Sequence, residues 1–223
     1  MLCRALSGGS SNWRKNGRKI LRSHQARQAA EKWLYRMMRI IGGKARGRNI
    51  RFESSSKERP TSDFLRETLF NLLGDVEGKT FVDLFAGSGS VGLEAASRGA
   101  REVCFIEKNK KLADLIKKNA ALCGLGEIFV LATDIEKGLK NLVGRKYRAD
   151  VIFADPPYHR GWVLLTLDLL KKYDIARRDS VIVIQHSIKE TCGVPSRRYR
   201  LLDERKYGDS ALTLATWREE NGE

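Results

Sequence analysis

The segment TFVDLFAGSGSVGLEAASRGAREVCFIE, residues 80–107, decides the fold. An apolar run at 80–86 predicts a buried strand, and 91–99 predicts a helix that ends at Gly99. A second apolar run at 102–107 predicts another strand. Two parallel strands joined through a helix form a right-handed crossover. The segment therefore predicts one β–α–β unit, with a glycine-rich turn between its first strand and its helix.

The same alternation of apolar runs and helical periods continues toward the C-terminus. We predict strands at 128–133, 149–154 and 180–186 and helices at 109–125, 135–142 and 162–173. Strand-like runs on either side of KYGDS, residues 206–210, predict a hairpin. Together these elements predict an α/β fold, a doubly wound and mostly parallel sheet that an antiparallel C-terminal hairpin closes at one edge.

The composition predicts a globular chain with a polyanionic partner. The 223 residues are 42% hydrophobic, enough for one core, and 42 Lys and Arg against 27 Asp and Glu give a net charge of +15. Such an excess favours nucleic acid first and an anionic membrane surface second. No apolar run reaches the roughly 18 residues of a membrane span, so we expect no insertion into a membrane.

The positive charge is concentrated at the start of the chain. Residues 1–38 carry nine Arg and Lys against one acid, Glu31, and lack the apolar period of a core element. A basic tail, an organellar targeting segment and a gene start assigned upstream of the true one all remain open. We assign 1–37 to a basic, disordered extension, 38–57 to a small N-terminal β-hairpin and 58–219 to the main domain.

Cysteine and histidine are few and scattered. Four Cys without a C-x-x-C pair and three unclustered His give no metal-binding pattern. Cys104 and Cys123 stand in apolar runs, which predicts buried free thiols. We therefore expect no metal site, a reducing compartment and a cytoplasmic location. A monomer is expected because no apolar stripe is left without an assigned packing partner.

Acidic residues stand where four of the predicted strands end. They are Asp83, Glu107, Asp134 and Asp155. Ligands of doubly wound sheets bind at the carboxyl ends of the strands, so the four positions predict a site at this edge. The turn GSGSVG, residues 87–92, matches the dinucleotide pattern G-x-G-x-x-G, although the pattern alone is weak.

Asp83 argues against a dinucleotide as the ligand of this turn. A carboxylate there would repel a pyrophosphate, but it suits the ammonium group of S-adenosylmethionine, which has no phosphate. Glu107 can accept hydrogen bonds from both ribose hydroxyls, while Gly87 and Gly89 let the backbone approach closely. Asp134 can accept from the adenine amine or can cap the helix that follows. We predict S-adenosylmethionine as the cofactor.

The stretch DPPY, residues 155–158, follows the strand ADVIFA. An exocyclic amine of a nucleobase is a poor nucleophile, because its lone pair is delocalised into the ring. The Asp155 carboxylate and the Pro156 carbonyl could accept its two N–H groups and hold the nitrogen in line, and Pro157 fixes that carbonyl. Tyr158 could stack on an extruded base. The alternative is an ordinary turn after a strand.

These motifs in combination resemble a known family. The chain contains DLFAGSGSVGLEAASRGA (83–100), IEKN (106–109) and DPPY, together with MRIIGGKARGR (38–48), RPTSDFLRETLFNLL (59–73) and KYGDSALTL (206–214). It resembles the bacterial RsmD family, class I methyltransferases that modify the N2 amine of a guanine in 16S rRNA. The resemblance covers about residues 38–217, so 1–37 depart from it.

The resemblance implies a seven-stranded Rossmann-like fold, S-adenosylmethionine as cofactor, and an assembled or partly assembled small ribosomal subunit as substrate. It also implies site residues by position. The cofactor would contact Asp83, Phe85, Gly87, Gly89, Glu107, Lys108, Asp134, Ile135 and Asp155. The catalytic loop would be Asp155, Pro156, Pro157 and Tyr158.

Basic residues that could grip RNA phosphates occur in three places. In RIIGGKARGRNIRF (39–52) they alternate with small and apolar residues in a predicted hairpin, which could also be an ordinary solvated hairpin. A helix predicted within 58–73, with Thr61 or Ser62 as N-cap, follows a loop that faces the site in the resembled family. The predicted RNA contacts are Arg39, Lys44, Arg46, Arg48, Arg59, Pro60, Thr61, Arg66 and Lys206. Arg66 could instead be solvated, and Lys206 could belong only to a turn.

Three other functions compete with a guanine-N2 methyltransferase. An adenine-N6 or cytosine-N4 nucleic-acid methyltransferase shares the D-P-P-Y chemistry but does not explain the matching termini. A protein-glutamine methyltransferase usually has Asn where Asp155 stands, and it leaves the charge unexplained. An RNA-binding assembly factor without catalysis would have no need of Asp155 or of the glycines, which are intact.

Overall fold

The computed structural model describes residues 35–53, 62–195 and 198–217. Predictions for most of the extension 1–37, and for Arg59, Pro60 and Thr61, lie outside these residues. The elements follow one another as β1 Tyr35–Arg39, β2 Asn49–Glu53, α1 Asp63–Leu73, β3 Thr80–Asp83, α2 Ser90–Ser97, β4 Glu102–Ile106, α3 Lys110–Cys123, β5 Ile128–Leu131, α4 Ile135–Gly144, β6 Ala149–Ala154, α5 Trp162–Lys172, β7 Ala176–Ser187, β8 Tyr199–Tyr207 and β9 Ser210–Trp217.

Seven of these strands form one sheet in the order β5-β4-β3-β6-β7-β9-β8. Strands β3 to β7 pair in parallel, whereas β9 runs antiparallel to both β7 and β8. β1 and β2 pair separately as an antiparallel hairpin. The predicted doubly wound sheet with a C-terminal hairpin and a small N-terminal hairpin is confirmed.

The sheet changes direction between β3 and β6, its two central parallel strands. From β3 the chain winds outward through β4 to β5, and from β6 it winds the other way to β7. The N–H of Leu84 donates to the carbonyl of Phe153 (2.9 Å), so the carboxyl ends of β3 and β6 lie side by side. The crevice at such a switch point is the usual ligand site of this architecture.

The core has one layer on each side of the sheet. Leu69, Phe70, Leu93 and Ile116, from α1, α2 and α3, pack on one face together with the N-terminal hairpin. Helices α4 and α5 cover the other face. Buried Leu, Ile and Phe side chains of this kind each stabilise the fold by about 1.5–3 kcal/mol. Among the described residues, none of the helices is long and apolar enough to cross a bilayer.

Two buried polar residues of α2 hold the N-terminal hairpin on the domain. The Glu94 carboxylate, fully buried, accepts from the N–H groups of Ile41 (2.8 Å) and Gly42 (2.7 Å). The Ser97 hydroxyl accepts from the N–H of Ala45 (2.9 Å) and donates to the carbonyl of Gly42 (2.6 Å). Backbone groups of the hairpin loop are thus satisfied by side chains of the domain, which fixes the hairpin's position.

The assignment of Arg66 to RNA binding is wrong. Its side chain is fully buried, with hydrogen bonds to the Arg39 carbonyl (2.7 Å), the Asp63 carboxylate (3.0 Å) and the Met38 sulfur. A guanidinium in this position joins the start of α1 to β1 and cannot reach a phosphate. The alternative, that Arg66 is a solvated helix residue, is wrong as well.

Candidate active site

The glycine turn leaves β3 and enters α2 in a conformation that favours glycine. Gly87 and Gly89 have φ of 53° and 80°, in the left-handed region. A Cβ on Gly89 would lie 2.9 Å from Cγ1 of Ile116, whereas a Cβ on Gly87 would meet no atom within 4 Å. Gly89 is thus required by packing and backbone, and the turn presents its main chain at Gly87 to open space.

Asp83, at the end of β3, is buried beneath this turn. Its side chain is 1% exposed, and Oδ2 accepts from the N–H of Gly92 (3.2 Å). Oδ1 is buried and has no hydrogen-bond partner among the described residues. Burial is the main cause that raises the pKa of Asp83 to about 7; the charge of Glu107 acts in the same direction, and the backbone N–H groups of Gly92 and Phe85 act against it. A buried carboxylate oxygen in need of a partner fits a cationic group such as the ammonium of S-adenosylmethionine.

Glu107 joins the end of β4 to the glycine turn. Its carboxylate accepts from the N–H of Gly87 (2.8 Å) through one oxygen and from the N–H of Asn109 (2.7 Å) through the other. The turn and the acid predicted to bind ribose are therefore neighbours. Each carboxylate oxygen can accept more than one hydrogen bond, so these contacts do not prevent Glu107 from also accepting from ribose hydroxyls. The ribose role itself stays a prediction. Lys108, predicted beside it, is exposed.

Asp134 caps α4, which is the alternative that the sequence left open. Its Oδ1 accepts from the N–H of Lys137 (2.9 Å), and Oδ2 lies 3.1 Å from Nζ of the same lysine. The hydrogen bond from this N–H is the main cause that lowers the pKa of Asp134. The neighbouring Ile135 is the first residue of α4 and is buried. Contact of Asp134 with the adenine amine, and of Ile135 with the cofactor, remains a prediction.

The loop after β6 carries Asp155, Pro156, Pro157 and Tyr158 at the switch point. Pro156 is buried and the other three residues are half-buried. The Tyr158 hydroxyl accepts from Nε2 of Gln185 (3.2 Å) and lies 3.3 Å from Oγ of Ser210. Burial raises the pKa of Tyr158 and the charge of Asp155 adds to this, so the phenol stays neutral at physiological pH. The ring is therefore held in one orientation by β7 and β9.

The sequence did not single out several residues that shape this loop. Gln185 and Ser210 orient Tyr158, and the Glu190 carboxylate accepts from the N–H of His159 (2.8 Å), which has a φ of 61°. Trp162 packs edge-on against Phe85, with ring centroids 6.0 Å apart. The sequence did contain a signal for Gln185, which follows the apolar residues of SVIVIQHS, residues 180–187. An amide side chain in a buried strand usually has a hydrogen-bond partner, so its presence there indicates a polar contact.

The remaining predicted RNA contacts lie on the surface. Arg39, Lys44, Arg46 and Arg48 are exposed on the N-terminal hairpin, and Arg48 also donates to the Leu122 carbonyl (3.0 Å). Lys206 is exposed near the tip of the C-terminal hairpin, with its Nζ 3.8 Å from Glu204. Within 35–53, 62–195 and 198–217, no His, Cys, Asp and Glu side chains group as a metal site would need.

Comparison with known proteins identifies the family. A family model described as conserved hypothetical protein 95 matches residues 38–216. The ribosomal RNA small subunit methyltransferase D of Buchnera aphidicola is 36% identical over 157 residues, which are 70% of this chain and 81% of that protein. The chain belongs to this family. The Escherichia coli protein of the same name is 33% identical over 187 residues, 83% of this chain and 92% of that protein.

Solved structures agree with the family assignment. The Escherichia coli protein YhhF superimposes with a TM-score of 0.72 at 30% identity, covering 83% of this chain and all of that one. A more distant structure, solved as a complex with S-adenosylhomocysteine, has a TM-score of 0.65 at 15% identity and covers 82% of this chain and 56% of that one. At that identity it shows the fold alone. The predicted RsmD family and class I methyltransferase fold are confirmed.

Proposed function

We propose that this protein methylates the exocyclic N2 amine of one guanine in 16S rRNA, within an assembled or partly assembled small ribosomal subunit and hence in the cytoplasm. The observation that carries the proposal is the hydrogen bond between Leu84 and Phe153, which sets the glycine turn and the D-P-P-Y loop edge to edge. A donor held by Asp83 and an amine held by Asp155 would meet at this edge.

The methyl donor is S-adenosylmethionine, as the sequence predicted. The relatives that define the family are methyltransferases by name, and the fold is shared with a protein solved with the demethylated product. In this chain the partnerless oxygen of Asp83 suits the ammonium group, and the open space at Gly87 admits a ligand against the main chain. When bound, S-adenosylmethionine supplies an electrophilic methyl group on a positively charged sulfur.

The residues of the loop account for the acceptor side of the reaction. The Asp155 carboxylate and the Pro156 carbonyl accept the two N–H groups of the amine, which directs its lone pair out of the base plane. When S-adenosylmethionine is bound, its methyl group would pass to this lone pair and the sulfur would keep the electrons of the broken carbon–sulfur bond. The Asp155 carboxylate, hydrogen-bonded to the amine, would accept the proton that the nitrogen releases. Tyr158 presents its ring to the base, held by Gln185 and Ser210. Positioning of this kind can supply a large share of the rate enhancement.

The ribosomal RNA substrate is supported by the names of the relatives and by the charge of +15. Lys44, Arg46 and Arg48 are exposed on the N-terminal hairpin, where phosphates could reach them. The choice of guanine N2 rests on the resemblance to the RsmD family and on the suitability of the D-P-P-Y loop for an exocyclic amine.

The test offers radiolabelled S-adenosylmethionine to small subunits that lack the modification, to naked 16S rRNA, to duplex DNA and to a protein extract. Labelled nucleic acid is then digested to nucleosides. Label in N2-methylguanosine from the subunit supports the whole proposal. Label in N6-methyladenine, N4-methylcytosine or protein overturns the substrate while the fold and the donor stand.

Asp155→Asn separates the role of the loop from donor binding. We expect it to reduce methyl transfer by at least about a hundredfold, with the affinity for S-adenosylhomocysteine largely retained. Asp114→Asn is the matched control, because Asp114 is half-exposed on α3 and forms only a surface ion pair with Lys117. Full turnover by Asp155→Asn would refute the catalytic role of the loop.

A further inference from the structure

An aromatic pair stands on the surface next to the catalytic loop. Phe64, the second residue of α1, is 65% exposed, more than any other large apolar side chain among the described residues. Its ring meets the ring of Tyr207 edge to face, with centroids 5.8 Å apart and an interplanar angle of 76°. The apolar side of α1 is formed by Leu65, Leu69 and Phe70, which are buried. Core packing therefore does not explain a phenyl ring at position 64.

Strand pairing places this aromatic pair beside Tyr158. Tyr207 ends β8 and is directly opposite Ser210 of β9, and residues directly opposite share one face of a sheet. Oγ of Ser210 is 3.3 Å from the hydroxyl of Tyr158. Tyr158, Ser210, Tyr207 and Phe64 thus follow one another along the edge of the sheet, from the catalytic loop to the start of α1.

The surroundings of the pair favour a nucleic acid over an apolar protein surface. Lys206 is next in sequence to Tyr207 and its side chain is 68% exposed. The Arg39 carbonyl accepts from the Arg66 side chain, so the basic N-terminal hairpin borders α1 from the other side. Tyr207 is half-buried against the core, so Phe64 is the ring of the pair that is open to a base. An exposed ring beside cations is the combination that binds unpaired bases, the cations contacting phosphates and the ring stacking on a base.

We propose that Phe64 and Tyr207 form a stacking site for an unpaired nucleobase next to the nucleotide that is methylated. The inference rests on the proposed function, since it takes the acceptor to be RNA. A base whose amine is to reach Asp155 must leave its stack, and its neighbour then loses a stacking partner. The Phe64 ring replaces that partner, and Tyr207 fixes the ring by its edge-to-face contact.

The first test measures binding of two fluorescent 12-nucleotide RNA probes, an oligoadenylate and an abasic strand with the same phosphates, to the full chain. We expect Phe64→Ala to weaken oligoadenylate binding at least about fivefold, the lower end of what one lost stacking contact costs, and to leave the abasic strand unchanged. Phe64→Leu, apolar but without a π face, should behave like Phe64→Ala, and Phe64→Trp should bind at least as tightly as the wild type. Val143→Ala, which removes another exposed apolar side chain, on α4, is the matched control.

The second test measures methyl transfer to small subunits as a function of their concentration. Loss of a stacking contact away from the reacting atoms should raise KM and leave kcat almost unchanged, unlike the effect expected of Asp155→Asn. Circular dichroism and thermal unfolding confirm that each variant is folded.

The outcomes separate this inference from the proposed function. If the wild type neither binds RNA nor methylates rRNA, the proposed function fails and the stacking site fails with it. If the wild type methylates rRNA but Phe64→Ala matches it on both probes, or weakens both probes equally, only the stacking site is refuted. If Phe64→Ala impairs transfer to assembled subunits but not oligoadenylate binding, the ring contacts a ribosomal protein, which also refutes a base-stacking site.

Discussion

We predict that the buried carboxylate of Asp83 makes the affinity for the cofactor depend on pH. Its pKa is raised to about 7 by burial and by the charge of Glu107, so near pH 6 the side chain is mostly protonated and neutral. An ammonium group beside Oδ1 favours the ionised carboxylate, so a protonated Asp83 must lose its proton when the ligand binds. Affinity should therefore rise with pH through this range, and a proton should be released on binding.

The size of the effect follows from the pKa. For a ligand that binds only the ionised form, the apparent Kd is multiplied by one plus the ratio of protonated to ionised Asp83. With a pKa of about 7, this factor is about 11 at pH 6 and about 1.3 at pH 7.5. The Kd should therefore fall roughly eightfold between those pH values, equivalent to about 1.2 kcal/mol. The protein without ligand should show the opposite trend, because a raised pKa makes folding less favourable as pH rises from about 4 to 7.

Calorimetry with S-adenosylhomocysteine tests this, because it carries the same ammonium group and does not react. Titrations at pH 6 and pH 7.5, in buffers with different ionisation enthalpies, give both the Kd and the number of protons released. Asp83→Asn should bind more weakly at pH 7.5 and should lose the pH dependence, whereas Asp114→Asn should keep it. A Kd that changes less than about twofold, or proton uptake on binding, would refute the reasoning; an unchanged pH dependence in Asp83→Asn would refute the assignment to this residue.

Three further predictions concern the turn, the loop and the hairpin. Gly89→Ala combines a φ of 80° with a Cβ 2.9 Å from Ile116, so it should lower the free energy of unfolding by about 1–3 kcal/mol in urea titrations; Gly126→Ala, at a position with open space, is its control. Tyr158→Phe removes the hydroxyl that is bonded to Gln185, so kcat should fall about tenfold while binding of S-adenosylhomocysteine is unchanged. An unaltered kcat would show that the ring does not need this hydrogen bond. The amide of Glu94→Gln cannot accept from all the donors that are bonded to the carboxylate, so the free energy of unfolding in urea should fall by about 2–4 kcal/mol. Hydrogen exchange should become faster at the amides of Ile41 and Gly42. Glu67→Gln, exposed on α1, is the control and should leave both amides unchanged.

The sequence was informative wherever the determinant is local. The alternation of apolar runs and helical periods predicted each strand of the large sheet, and the acids at strand ends predicted the edge where Asp83, Glu107 and Asp155 stand. The glycine turn was predictable because a strand followed by GSGSVG and a helix leaves few backbone conformations. The cap at Asp134 was left open because both interpretations need the same residue at the same position.

What the sequence could not show depends on distant packing. Arg66 stands three residues after Asp63 on a helix and resembles a surface ion pair, but β1 packs over α1 and buries the guanidinium. Leu122 of α3 and Leu164 of α5 are about half-exposed although their neighbours Cys123 and Val163 are buried, so an apolar residue within a helical run does not by itself mark a core position. The anchoring of Tyr158 joins three segments separated by 27 and 52 residues, which no local pattern contains.

The N-terminal hairpin, which presents the basic residues, and the glycine turn, which we predict to face the donor, are both held by Asn119. The Asn119 amide on α3 donates to the Arg51 carbonyl of β2 (2.8 Å) and lies 3.4 Å from the Ser88 carbonyl of the glycine turn, while its oxygen accepts from the N–H of Arg51 (2.9 Å). Glu94 and Ser97 hold the hairpin's loop from α2, the helix that the same turn begins. A displacement of the hairpin by RNA would therefore act directly on the turn. The buried polar contacts give the fold a fixed distance between the proposed RNA surface and the methyl donor, which a hairpin held only by apolar contacts would define less closely.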